Sequence, residues 1–217
     1  MRIIGHRGDR ENFDDNTFGS FQSAFDLGAD GFETDVWLKD NNDVYVTHYF
    51  NHDRSKTYPL LKEVLEKFAQ KGKIQIEIKD SNPRICTEVK KLLNITNTSN
   101  FEITSSQHAM FCELQNHFSG ENLGLIVKPY SISDDMRTEY VNNMLLNWLK
   151  LTGSKNLWLV DLNNKFWSKE RVRIFHKNNI KIGHHLTSNS LEDYTLMVDW
   201  EVDTIISDKL SILKHRK

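Results

Sequence analysis

Eight short apolar runs recur along the chain with a helical pattern between neighbours, and this alternation restricts the fold more than any other feature. The runs are Arg2–Gly5, Gly31–Trp37, Ile74–Ile78, Phe101–Thr104, Leu123–Val127, Leu157–Leu162, Lys181–His185 and Thr204–Ser207. Helical patterns fall near Thr17–Leu27, Leu60–Gln70, Arg84–Leu93, Ala109–His117, Met136–Leu149, Lys169–Asn178 and Leu191–Val198. Strands that alternate with helices pair in parallel, because each helix carries the chain back to the edge where the next strand must start. Eight such units predict an α/β fold, a (β/α)8 TIM barrel with its chemistry at the C-terminal ends of the strands. Val44–His48 is an extended excursion outside the eight. The 217 residues lie near the small end for such a barrel, which typically takes about 200–250. They are read as one domain, 1–217.

Local signals agree. Thr17 fits a helix N-cap and Gly28 the stop of the same helix. The formal net charge of −2, with acids and bases interspersed, gives no broad basic surface for nucleic acid. Cys86 and Cys112 both fall in helical patterns and read as buried, reduced thiols. Met1-Arg2 leads straight into a strand, and no apolar run approaches the roughly 20 residues of a membrane span. The expectation is a soluble, cytoplasmic protein.

Polar residues cluster where the strands end. Residues two apart on a strand share a face, so Glu33 and Asp35 point one way while Phe32, Thr34 and Val36 point the other. Adjacent carboxylates repel unless a cation or proton intervenes. His6-Arg7 follows the first strand, His48 ends the excursion, and Glu77 and Lys79 share a face at the end of the Ile74 strand. Taken singly, each has a plainer reading: a hydrogen-bonded structural histidine, a solvated carboxylate pair, an arginine on a surface acid. Their repeated placement at strand ends points instead to one site.

These residues also carry a resemblance. His6-Arg7-Gly8, Asp15-Asn16-Thr17, Gly28 to Val36, Val44 to His48, Leu61 to Leu65 and Ile76 to Lys79 occur in the order found in the glycerophosphodiester phosphodiesterase family. That family lies in the phosphatidylinositol-phospholipase-C-like phosphodiesterase superfamily. Val202 to Asp208 resembles the family's last strand. The resemblance implies a metal-dependent hydrolase that cuts glycerophosphodiesters to an alcohol and glycerol 3-phosphate. Glu33, Asp35 and Glu77 would hold the metal, Arg7 and Lys79 the phosphate, and His6 and His48 would divide general acid and base duties in an order left open. Hard oxygen ligands suit Mg²⁺ or Ca²⁺, and histidine's ordinary pKa near 6.5 permits either role at neutral pH.

The chain also departs from the family's pattern. Tyr49 follows His48 where the family usually has an aspartate that would help orient the histidine, and His52-Asp53 comes too late to replace it. Only a dozen residues separate His48 from the Leu61 helix, so the family's usual insertion subdomain is lacking and an open mouth is expected. His184-His185 stands where the family commonly has tryptophan, and reads equally as pocket lining or as a strand end in solvent. Asp208 reads as structural and Lys128 as a surface lysine with a weaker phosphate role. Ser105 and Ser106 are candidate ligand hydrogen-bonders. Phe166 and Trp167 line the mouth or pack a loop. The other tryptophans, Trp37, Trp148, Trp158 and Trp200, are expected in the core or at its rim, and His108, His117, His176 and His215 on the surface.

Two further functions stay open. One is a phospholipase-D-like enzyme acting on a lysophospholipid or sphingolipid, with a cyclic phosphate as product. The other is a non-catalytic phosphodiester-binding module on a decayed barrel. The partner is a small-molecule phosphodiester or lysophospholipid, and the sequence leaves the oligomeric state unknown.

Overall fold

The structure is a computed structural model and describes residues 1–39, 41–49, 58–128, 138–160, 168–186 and 190–216. Its strands are β1 (Arg2–Gly5), β2 (Gly31–Leu38), β3 (Val44–Val46), β4 (Lys73–Ile78), β5 (Phe101–Ser105), β6 (Leu123–Val127), β7 (Asn156–Val160), β8 (Lys181–Leu186) and β9 (Thr204–Ser207). The helices are α1 (Phe18–Asp26), α2 (Leu61–Phe68), α3 (Arg84–Ile95), α4 (Phe111–His117), α5 (Thr138–Thr152), α6 (Lys169–Lys177) and α7 (Leu191–Asp199). Each expected strand and helix forms, with ends shifted by a few residues. His52, Asp53, Met136, Leu162, Phe166 and Trp167 lie outside the described residues.

Parallel pairing runs β1-β9-β8-β7-β6-β5-β4-β2 and closes where β1 meets β2, with Ile4 opposite Gly31 and Gly5 opposite Phe32. The result is the expected (β/α)8 barrel. β3 is antiparallel to β2, Val46 opposite Val36, so it sits outside the eight and delivers His48 to the barrel rim. Among the described residues no helix is long and apolar enough to cross a membrane.

Helix starts follow the local chemistry. The Thr17 hydroxyl accepts from the Ser20 amide, and the Ser20 side chain accepts from the Thr17 amide, a reciprocal capping box. Gly28 ends the same helix at φ +89°, a backbone conformation that a Cβ disfavours. In α2 the buried positions Leu61, Val64, Leu65 and Phe68 follow the three-four spacing of a one-sided helix. They meet the outward face of β2. Phe32 stacks on Phe21 with centroids 4.0 Å apart and meets Phe68 edge-on at 5.6 Å. Phe32→Ala is expected to cost about 3–5 kcal/mol in chemical denaturation; a loss under about 1 kcal/mol would mean that this ring cluster is not part of the stabilising core.

The inward face is more polar. Lys73 pairs with Glu102 at 3.0 Å, and the Trp158 indole N–H donates to Glu102. Ile4, Ile126, Trp158 and Ile206 form a small apolar plug among them. A Cβ at Gly183 would lie 2.1 Å from the Trp158 ring, so glycine there makes room for the indole. Trp158 is thus buried in this plug, while Trp148 and Trp200 are partly buried against the larger core outside the barrel strands. Cys86 is buried as expected, but Cys112 is exposed, because it lies on the outward side of the short helix α4. His108, His117 and His176, expected at the surface, are part-buried with hydrogen-bond partners: Ile126 O, Glu113 O and Asp203.

Candidate active site

Strand register assembles the site. Glu33 lies opposite Gln75 and Asp35 opposite Glu77, and neighbouring strands are about 4.8 Å apart. Glu33, Asp35 and Glu77 therefore converge, each offering a carboxylate oxygen within 4.8 Å of the others. Glu33 and Asp35 are buried, and Glu33 Oε1 has no hydrogen-bond partner among the described residues. Glu33 Oε2 accepts from the Arg7 amide at 3.1 Å, a contact made by a backbone turn in which Arg7 itself has φ +56°. A cavity of about 30 Å³ lined by His6, Glu33, Gln75, Glu77, Ile126, Trp158, His185 and Ile206 lies against the cluster. A buried carboxylate oxygen without a donor, between two further carboxylates, fits an oxygen-ligated cation.

Asp35 is the hub. Its Oδ1 meets His48 Nδ1 at 3.1 Å and Lys79 Nζ at 3.5 Å. Its Oδ2 accepts from Asn16 Nδ2 at 3.1 Å. Arg7 Nε lies 2.9 Å from the same oxygen but off the hydrogen-bond axis, so that contact is ionic. Asn16 is held in turn by the Thr34 hydroxyl at 2.8 Å and adopts φ +58°, which asparagine tolerates better than most residues. Arg7 Nη1 also reaches Asp15 at 3.0 Å, and Lys79 reaches Glu77 at 3.1 Å. Both expected phosphate-binding cations thus rest on carboxylates. The orienting partner of His48, expected to be missing because Tyr49 follows it, is Asp35 from the neighbouring strand.

Across the mouth, His6 is held by Asp208, read from the sequence as structural, by His185, read equally as pocket lining or strand end, and by Arg10, which the sequence did not single out. Its Nδ1 makes a short hydrogen bond to Asp208 Oδ1 and lies 3.0 Å from both His185 Nε2 and Arg10 Nη1. Arg10 Nη1 and His185 Nε2 also reach Asp208 Oδ1, at 2.9 and 3.3 Å. Asp208 is therefore part of the site, not only the end of a strand, and His185 lines the pocket. His184, the next residue along the strand, is buried on the other face. Of the two serines, Ser106 touches Glu77 at 3.3 Å while Ser105 bonds backbone at Ile78 O. Lys128 is partly buried just after β6. The signal for Asp208 was present in the match of Val202 to Asp208 to the family's last strand, and that for His185 in its place where the family commonly has tryptophan; Arg10 had none.

The charges are strongly coupled. Burial would raise Asp35, but the His48 hydrogen bond and the Arg7 and Lys79 charges outweigh it and hold its carboxyl well below the usual range. Asp208 is likewise held down, against its burial, by hydrogen bonds from His185 and His6. Burial, with Asp35 and Glu77 adding repulsion, pushes Glu33 well up. Burial lowers His6 to about 3 and His184 to about 4. These two histidines stay neutral in the fold, while the unfolded chain protonates them below about 6.5. Their contribution to stability is therefore complete above about pH 6.5 and lost as pH falls toward 4 and then 3, by up to about 1.4 kcal/mol per pH unit each. Glu33 opposes them, since its stabilising proton is lost as pH rises above about 4.5 toward its raised folded value. Saturating Mg²⁺ is expected to remove that opposition, so melting temperature should fall more steeply between pH 7 and 5 with Mg²⁺ than without it. Parallel curves would exclude a cation at Glu33.

Comparison with known proteins finds similarity in the segment that carries most of the site. Residues 6–55 match the model of the glycerophosphoryl diester phosphodiesterase family, the segment that carries His6, Arg7, Glu33, Asp35 and His48. Over that segment the chain is similar to the glycerophosphoryl diester phosphodiesterase family. A glycerophosphodiester phosphodiesterase of Caldanaerobacter subterraneus is 43% identical over 53 residues, 24% of this chain and 22% of the relative. One from Bacillus altitudinis is 28% identical over 155 residues, 54% of this chain and 63% of the relative. The chain thus spans less than two thirds of the length of either curated relative. Among solved structures, the glycerophosphodiester phosphodiesterase of Thermotoga maritima has a TM-score of 0.76 at 22% identity, covering 100% of this chain and 98% of its own. An Oleispira antarctica phosphodiesterase, solved with its product sn-glycerol-3-phosphate, has a TM-score of 0.80 at 15% identity, covering 99% and 96%. At these identities the two structures establish the shared barrel fold.

Proposed function

We propose that the chain is a metal-dependent phosphodiesterase that hydrolyses glycerophosphodiesters to an alcohol and glycerol 3-phosphate. The observation that carries this reading is the pairing of two oriented histidines, each held through Nδ1 by a carboxylate, across one carboxylate triad. The family match and the product-bound Oleispira neighbour support it. Glu33, Asp35 and Glu77 would hold Mg²⁺ or Ca²⁺, and such an ion, when bound, would supply Lewis-acid polarisation of a phosphoryl oxygen and offset charge gained in the transition state.

The chain's own groups supply the rest. Asp208 accepts the Nδ1–H of His6, which leaves the Nε2 lone pair facing the triad, 3.8 Å from Glu33 Oε2. With that lone pair turned toward the triad, His6 is the proton acceptor for the attacking oxygen, from water or from a neighbouring substrate hydroxyl. His48, 31% exposed at the mouth and held through Nδ1 by Asp35, delivers a proton to the leaving alkoxide. Arg7 grips phosphate oxygens with its remaining guanidinium N–H groups. Lys79 turns to the phosphate once its carboxylate partners are neutralised.

A second reading has one observation in its favour. A groove of about 630 Å³ beside His48 is lined by Phe13, Tyr49, Tyr58 and Pro59 among others, and Phe13 and Tyr49 are exposed. Rings at an open mouth suit the apolar part of a lysophospholipid, the phospholipase-D-like alternative. Metal-stripped protein should be incubated with glycerophosphocholine and lysophosphatidylcholine, with and without Mg²⁺ or Ca²⁺, and followed by phosphorus NMR. Metal-dependent glycerol 3-phosphate from the first supports the main reading, and a cyclic phosphate from the second replaces it. No product from either leaves a phosphodiester-binding module.

A further inference from the structure

The triad is not the structure's only group of convergent metal donors. His6 Nδ1, His185 Nε2 and Asp208 Oδ1 also lie within 4.8 Å of one another, on the opposite side of the His6 ring. We propose that these three atoms form a second cation site, selective for a borderline-soft ion such as Zn²⁺, and that its occupation switches off His6.

The donor set is the first reason. Two imidazoles and one carboxylate suit Zn²⁺ over Mg²⁺ or Ca²⁺, which prefer oxygen alone. Spacing is the second. Bonds of about 2.0–2.1 Å in a tetrahedron separate ligand atoms by roughly 3.3 Å. His185 Nε2 already lies 3.0 Å from His6 Nδ1 and 3.3 Å from Asp208 Oδ1. Only the His6–Asp208 pair must open, as its hydrogen bond is exchanged for two metal bonds. The rings of His6 and His185 meet edge-on, with centroids 4.1 Å apart.

Third, the site already attracts positive charge. Arg10 Nη1 sits 3.0 Å from His6 Nδ1 and 2.9 Å from Asp208 Oδ1. Its Nε is anchored separately on Asp15 at 2.9 Å, so the Nη1 end can yield its place without the side chain losing its ion pair. The ligands are reachable, the side chains of His6 and His185 being 11% and that of Asp208 23% exposed.

The consequence follows from the tautomer. A metal on Nδ1 takes that lone pair, so the ring proton moves to Nε2, where it faces Glu33 Oε2 at 3.8 Å. A carboxylate facing the far N–H is the usual second partner of a metal-bound histidine. In that form Nε2 has no lone pair with which to accept a proton. Zinc capture does not depend on what the chain hydrolyses, whereas the inhibition rests on the proposed phosphodiesterase function.

The test is a Co²⁺ titration of the full chain in excess Mg²⁺, read by visible absorption. Wild-type protein should show one saturable class with the intense bands of four-coordinate, nitrogen-ligated cobalt, displaced by Zn²⁺. His185→Phe, which keeps a planar ring, should lose those bands while circular dichroism shows a folded barrel. Arg10→Met removes the competing cation and should tighten Co²⁺ binding by about tenfold or more. Absence of the bands in wild type, or their persistence in His185→Phe, would overturn the site. Where turnover is measurable, Zn²⁺ should inhibit wild type and leave the residual rate of His185→Phe less affected. Equal inhibition of both would overturn the switch while leaving the phosphodiesterase reading untouched.

Discussion

His6→Ala is expected to lower phosphodiester turnover by about 10²–10⁴-fold while divalent-cation affinity stays nearly intact. The side chain touches the triad only at 3.8 Å from Glu33, so removing it deletes a proton acceptor and spares the carboxylates. The loss should fall on kcat more than on KM, because the group acts as charge moves and not as the substrate docks. His48→Ala should behave alike, and a leaving group of low pKa should recover much of its rate, since such an alkoxide departs without a proton. The same substrate should not rescue His6→Ala. Unchanged turnover in either variant would remove that histidine from the chemistry; rescue of the wrong one would exchange their roles.

The second large effect separates two neighbouring carboxylates. Asp35→Asn is expected to cost about 3–5 kcal/mol of fold stability, the range for breaking a buried ion pair, as well as metal binding. Asp35 has no exposed surface and holds Arg7, Lys79, His48 and Asn16. Its neutralisation leaves two largely buried cations short of a partner. Glu33→Gln should also abolish metal binding, yet leave the metal-free fold as stable or more so. Glu33 is buried, repelled by Asp35 and Glu77, and has an oxygen without a donor, so its charge is a liability without a cation. Urea denaturation of the metal-free variants measures both. Equal destabilisation would show that Glu33 is satisfied in the fold, and the case for a cation there would weaken.

Most of the barrel was legible because its signals are local. A parallel strand buried on both faces reads as a continuous apolar run, and β6 and β7 show it plainly. The start and stop of α1 lie in the chemistry of Thr17 and Gly28. The metal-ligand face of β2 follows from a period of two, which places Glu33 and Asp35 together whatever the rest of the chain does. Glu77 on β4 and Lys79, one residue past its end, obey the same rule.

Closure of the barrel decided what those signals could not reach. His6 and Asp208 are separated by 202 positions and meet because β9 pairs with β1, Gly5 opposite Ser207. His185 joins them because β8 pairs with β9, His185 opposite Ile206; one step of register would have turned His184 inward instead. Asp35 became the partner of His48 because β3 folds back antiparallel on β2. Spacing along one strand determines which side chains share its face. Which faces confront one another depends on inter-strand register and closure, set by packing over the whole ring, and there the tertiary structure alone decided that a buried His6, tied to Asp208, would face the triad through Nε2.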